Sequence, residues 1–220
     1  MRPRALFLLL LIFFGIAVLP VAAQKFKLEQ LQKPAVKQAY VAVENRLKKE
    51  VLAKGLTSFS NHIYLRAFKN ESIVEVWIKA PTAATYRLLK RYKLCTAPGE
   101  FGPKQLLGDK KVPEGLYHIS NLASASREQM ALLLDYPNQA DQNRDAQKDR
   151  VYINSNCQKA AGNLSLSEEM LFEIYVLTME AMSAGQQQVP VHVFPAYLSE
   201  RNFNKLLGLY QNDKGLRGFW

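Results

Sequence analysis

Three histidines and two cysteines are the side chains of this 220-residue chain best suited to proton transfer or nucleophilic attack. His62 opens a strand-like stretch, and His118 follows the turn Pro113-Glu114-Gly115-Leu116-Tyr117. His192 lies inside Val189-Pro190-Val191-His192-Val193-Phe194-Pro195. Each sits where a core or rim histidine sits as readily as a general base. Cys95 and Cys157 leave two readings open. In an oxidising compartment a lone pair of cysteines forms a bridge, here closing roughly 60 residues and contributing about 3–4 kcal/mol. As a thiolate, either would need a neighbouring histidine or a helix N-terminus to lower its pKa. No Gly-x-Ser-x-Gly elbow, Ser-x-x-Lys pair or glycine-rich phosphate loop stands out, and the Cys and His spacings are not those of a structural zinc site. Neither a metal nor a cofactor is expected.

The elements that must position these groups can be read from periodicity. Val36, Tyr40, Val43, Leu47 and Val51 recur at three- and four-residue steps, predicting a helix from Pro34 to about Lys54 after a polar lead-in over 24–33. Ile63 to Phe68 and Ile73 to Lys79 read as strands around a Lys69-Asn70-Glu71 turn. Thr82 is expected to cap a short helix reaching Arg91, and 96–115 to form a long ordered loop. Leu116–Ile119, Met130–Leu134 and Val151–Ile153 are further strand candidates. The capping-box pattern Ser165-Leu166-Ser167-Glu168 predicts a helix burying Met170, Leu171, Ile174, Leu177 and Ala181, ended by Gly185. Val189–Phe194 reads as an interior strand, and Ser199 as the cap of a last helix carrying Phe203, Leu206, Leu207 and Tyr210. Strands interrupted by separate helices without regular alternation point to a single α+β domain, with a mixed, sandwich-like sheet and flanking helices.

Charge and the first residues narrow the setting. The chain carries 29 Lys plus Arg against 19 Asp plus Glu, a net +10. Arg2 and Arg4 precede an apolar run to Leu19, and Val21-Ala22-Ala23 supplies the small residues of a cleavage site, so 1–23 reads as a secretory signal. Its removal leaves 27 basic side chains against 19 acidic ones. No second stretch is long and apolar enough to span a membrane. The expected divisions are the signal, an N-terminal helix over 24–58, a domain over 59–212 and a tail over 213–220. For an exported chain the basic charge faces an envelope polymer, a lipid headgroup or a protein rather than nucleic acid.

Several blocks then resemble, in order over roughly residues 60–205, the murein L,D-transpeptidase catalytic-domain family, in the branch that includes a lipoprotein–peptidoglycan amidase. They are Ile78-Lys79-Ala80-Pro81, Cys95 before Gly102-Pro103-Lys104, Gly108-Asp109 before Pro113-Glu114-Gly115-Leu116-Tyr117, Tyr136-Pro137-Asn138, Glu173-Ile174-Tyr175 and the Val189–Pro195 block. The resemblance implies a periplasmic scaffold on which a cysteine thiolate attacks an amide at the diaminopimelate of a peptidoglycan stem. A histidine at a His-Gly pair takes the proton, and the nucleophile ends a Ser-x-Gly-Cys turn.

The chain departs from that pattern at the chemistry itself. Asn154-Ser155 stand where the His-Gly pair should be, and Lys159-Ala160-Ala161-Gly162 aligns with the turn, leaving Gly162 at the nucleophile's place. An amide is no base near neutral pH, and glycine has nothing to attack with. Cys95 and Cys157 match the family's non-nucleophilic cysteines, which favours a bridge between them. The resemblance therefore implies a non-catalytic relative that binds peptidoglycan or regulates a peptidoglycan-processing partner. Lys104, Lys110, Lys111, Tyr117, Tyr136 and Asn138 are its candidate ligand-binding residues, with the basic row Arg87, Lys90, Arg91 and Lys93. The alternative is a working transpeptidase or amidase with relocated groups, using Cys157 with His118 or His192.

Overall fold

The computed structural model describes residues 20–95, 101–124, 130–158 and 162–210. Most of the expected signal and the C-terminal tail from 213 onward lie outside them. The elements run α1 (Pro20–Leu31), α2 (Pro34–Ala53), β1 (His62–Phe68), β2 (Ile73–Lys79), β3 (Arg87–Lys93), β4 (Gly115–Ala123), β5 (Ala131–Leu134), α3 (Gln139–Asn143), β6 (Tyr152–Asn154), β7 (Leu164–Ser165), α4 (Glu168–Ser183), β8 (Pro190–Phe194) and α5 (Glu200–Tyr210). The architecture is α+β.

The eight strands form one mixed sheet in the order β3-β2-β1-β8-β4-β5-β6-β7. The β1–β8 and β6–β7 pairs are parallel, the others antiparallel. Strand β4 serves two partners: Gly115 to His118 pair with β8, and Ile119 to Ala123 with β5, across an irregularity between Ile119 and Asn121. A strand that changes partner over a bulge bends the sheet. The far ends return towards each other, because the Cys95 N–H, just past β3, donates to the Ser165 carbonyl in β7 (2.9 Å). The disulfide Cys95–Cys157 spans the same junction, with its Cα atoms 5.6 Å apart.

Alternation along the strands gives the sheet an inner face of Ile63, Leu65, Val74, Val76, Ile78, Tyr117 and Val191. Helix α4 lies in this core, buried continuously from Leu171 to Ala181 rather than along a single stripe. Helices α1 and α2 cover its other side, which is why a one-sided pattern fails there. Every member of the expected α2 stripe is buried, and Pro34 opens that helix.

Three local expectations give way. The polar lead-in is helical: α1 packs on α4 through Phe26 and Leu31, and Tyr175 Oη donates to Gln30 Oε1 (3.3 Å). The expected Thr82–Arg91 helix is instead strand β3, because the open edge of β2 takes it as a partner in sheet register. That edge offers ladder hydrogen bonds and burial for Leu89 and Tyr92, which override a weak helical preference. The cap of α4 is Ser167, whose side chain accepts from the Met170 N–H, whereas Ser165 belongs to β7. The final helix forms as expected over Glu200–Tyr210, burying Leu206 and exposing Phe203 and Leu207.

Candidate functional site

Asn154 and Gly162, the two positions that the motif resemblance singles out, lie at and just before the place where β6 and β7 run side by side. Asn154 Oδ1 accepts from Ser165 Oγ (2.7 Å) and from the Asn156 N–H (3.1 Å), so the amide is held within the scaffold. Ser155 offers its carbonyl to the Cys157 N–H (3.0 Å). Gly162 is buried, with φ at +79°, and its N–H donates to the Lys110 carbonyl (3.2 Å). A side chain there would have to adopt left-handed backbone, with its Cβ 3.4 Å from the Lys111 carbonyl oxygen. Asparagine and glycine supply neither base nor nucleophile at these two positions.

The relocated-cysteine arrangement is not assembled either. Cys157 is bonded to Cys95, and the chain has only these two cysteines, so no thiol is free. His192 Nδ1 meets Tyr64 Oη at 2.7 Å, and His118 Nδ1 meets Asp135 Oδ2 at 3.1 Å. Burial pushes the His192 imidazole below its ordinary pKa, helped by the nearby charges of His118 and Arg66. The two histidines face the outer side of the sheet.

Several expected ligand-binding side chains are instead interior braces. Lys104 is only 2% exposed, its ammonium held between Asp109 Oδ1 (2.8 Å) and Asp149 Oδ2 (3.0 Å). Burial works against the ionised Asp109, but the Lys104 ammonium and the N–H groups of Gln105, Lys111 and Leu106 outweigh it and hold the carboxyl at about 2. Tyr117 is fully buried and donates to Asp141 Oδ2 (2.8 Å), while Tyr136 Oη donates to the Lys104 carbonyl (3.1 Å). Asn138 caps α3 in a reciprocal box with Asp141, and its Nδ2 donates to the Leu116 carbonyl (3.0 Å). Lys110 is exposed and Lys111 half-buried. Of the basic row, Lys90 pairs with Glu50 and Glu173, Arg91 with Glu75, and Arg87 donates to the Lys54 carbonyl; Lys93 is exposed.

Sequence reading missed the outer face of the sheet. Tyr64 and Arg66 of β1, Trp77 of β2, and His192 and Phe194 of β8 share it, with Tyr86 and Tyr197 alongside. The signal was the alternation His62-x-Tyr64-x-Arg66-x-Phe68, legible as a polar-aromatic face. Phe194 continues into a groove of about 610 Å³ lined also by Leu116, Asn138, Ala140, Val193 and Pro195. Among the described residues no cluster of His, Cys, Asp and Glu is arranged to hold a metal ion, and no helix is long and apolar enough to cross a membrane.

Comparison with known proteins sets the chain beside the L,D-transpeptidases, and the resemblance read from its motifs extends over 160 residues. The particular relative is the protein called Putative L,D-transpeptidase YafK of Escherichia coli K12, with its counterpart in strain O157:H7, each 29% identical over 72% of this chain. The chain spans 62% of the length of these relatives. No family model matches it. Among solved structures it is similar to the helical cell shape determining protein Pgp2 of Campylobacter jejuni, with a TM-score of 0.48 and 19% identity over 63% of this chain and 49% of that one. It is also similar to Bd1075 of Bdellovibrio bacteriovorus, with a TM-score of 0.44 and 13% identity over 68% and 54% of the two chains.

Proposed function

We propose that this is an exported, non-catalytic L,D-transpeptidase-like protein of the periplasm, which binds peptidoglycan or regulates a peptidoglycan-processing partner. One reading of the motifs carries it: by the resemblance Asn154 and Gly162 fall at the family's base and nucleophile positions, and in the structure the first is engaged by Ser165 and the second is buried with left-handed backbone. Sequence similarity to a protein named as an L,D-transpeptidase supports peptidoglycan as the polymer met. The basic excess suits the carboxylates of its stems, and the Arg2–Ala23 pattern supports export.

The test is co-sedimentation of the chain with purified sacculi, alongside incubation with tetrapeptide muropeptides. The expected result is retention by sacculi without any change in the muropeptide products. Asn154→His with Gly162→Cys is expected to remain inactive, because cysteine must adopt the +79° φ that glycine tolerates. Turnover by the unaltered chain would overturn the non-catalytic reading, and a failure to sediment would overturn the binding one.

A further inference from the structure

Arg66 differs from several other basic side chains of the fold. Lys69, Lys90, Arg91 and Lys104 each reach a carboxylate at 3.0 Å or less. Arg66 makes no hydrogen bond to any described residue: its Nε is closed off from solvent without a partner, and its ion pair with Glu75 stretches to 3.9 Å. Glu75 is already occupied, accepting from Trp77 Nε1 (2.8 Å), Arg91 Nε (2.9 Å) and Tyr197 Oη (2.6 Å). The guanidinium is held flat among rings, 4.9 Å from the centre of Phe68, 5.4 Å from Trp77 and 5.6 Å from Phe194. Its side chain remains 30% exposed. A guanidinium with one long ion pair and part of its side chain still exposed has N–H groups left to donate, and a planar carboxylate presented from outside would accept from them.

The surroundings specify more than an anion. Tyr64, Trp77, Phe194 and Tyr197 are all partly exposed around Arg66. Phe194 also forms a wall of the 610 Å³ groove, and Leu116, on the same outer face and also lining it, is 58% exposed. Flat aromatic rings beside an arginine suit a ligand that joins an apolar sugar-ring face to a carboxylate, and the groove gives the adjoining chain somewhere to lie. We propose that this outer face, from Arg66 to the groove beneath Phe194, binds the carboxylate-bearing glycopeptide unit of the wall polymer. A stem carboxylate pairs with Arg66, the sugar packs on Tyr64 and Phe194, and the peptide enters the groove. The inference rests on the peptidoglycan reading above and places the ligand on residues other than Asn154 and Gly162.

Calorimetric titration of the full chain with a disaccharide–tripeptide tests it, run beside the same compound with its carboxylates amidated. The unaltered chain should bind the acidic form at least tenfold more tightly than the amidated one, and less tightly as salt rises. Arg66→Gln should remove that preference, with Arg66→Lys intermediate because lysine lacks the two-pronged geometry. Tyr64→Leu should weaken the glycopeptide but not the sugar-free tripeptide. The amidated ligand keeps the test independent of whether any variant folds. Binding that ignores both amidation and Arg66→Gln overturns this surface and leaves the peptidoglycan reading standing; no binding of either compound or of sacculi overturns both.

Discussion

Replacing both Cys95 and Cys157 with serine tests how the sheet is held together. The bridge joins residues 62 apart in sequence, and a loop of that length corresponds to about 4 kcal/mol of unfolded-state constraint at 25 °C. The structure gives it a particular job as well. Strands β6 and β7 are three and two residues long, and the Cys95 N–H bond to Ser165 ties them to the end of β3. With few ladder bonds at this junction, the staple should account for much of its local stability. For a urea slope of about 2–3 kcal/mol per molar, the unfolding midpoint should fall by about 1.3–2 M, with the slope rising somewhat as the unfolded chain loses its cross-link. Circular dichroism in urea on the oxidised chain and the double serine variant measures this. Amide exchange should show the loss first at Cys95→Ser, Ser165 and Leu166. A fall of less than about 0.5 M, roughly 1 kcal/mol, would refute the argument, since the junction would then be held without the bridge.

Two further outcomes follow from the charged interior. Asp109, held at about 2 against an ordinary 3.8, contributes stability that is present above the ordinary value and lost as pH falls through about 2. Asp109→Asn should therefore cost about 2 kcal/mol at pH 7 and almost nothing at pH 2, read from urea midpoints across pH; a cost independent of pH would refute it. Glu173, 3% exposed within α4, collects Arg46, Lys90 and the Tyr92 hydroxyl, joining α2, β3 and α4. Glu173→Gln should cost about 3 kcal/mol and lower the melting temperature by roughly 6–12 °C, whereas an unchanged melt would show that these cations find other partners.

Legibility in the sequence followed the range of the forces involved. Helix α2 and strands β1, β2 and β8 were readable because their apolar spacing matches the surface that buries them. Strand β3 was not, because Arg87-Leu88-Leu89-Lys90-Arg91 fits a helix as readily as a strand until the edge of β2 decides. Lys104 looked like a ligand-binding lysine because no local pattern announces that Asp109 and Asp149 will enclose it. Arg66 went unremarked for the converse reason: its three rings come from three strands, and only their pairing makes a lone arginine into a framed cation.

What the sequence alone determined is chemical identity. It shows that there are three histidines and only two cysteines in all, and that basic residues exceed acidic ones by ten. Those statements need no coordinates, because a side chain's type is the same in any conformation. The tertiary structure decided which charges are spent and which remain. Ion-pair partners lie far apart along the chain, 127 residues between Arg46 and Glu173, and desolvation depends on every element packed around a group. It therefore enclosed Lys104 between two carboxylates, joined Cys157 to Cys95, and left Arg66 on the outer face with no hydrogen bond to any described residue and one long ion pair.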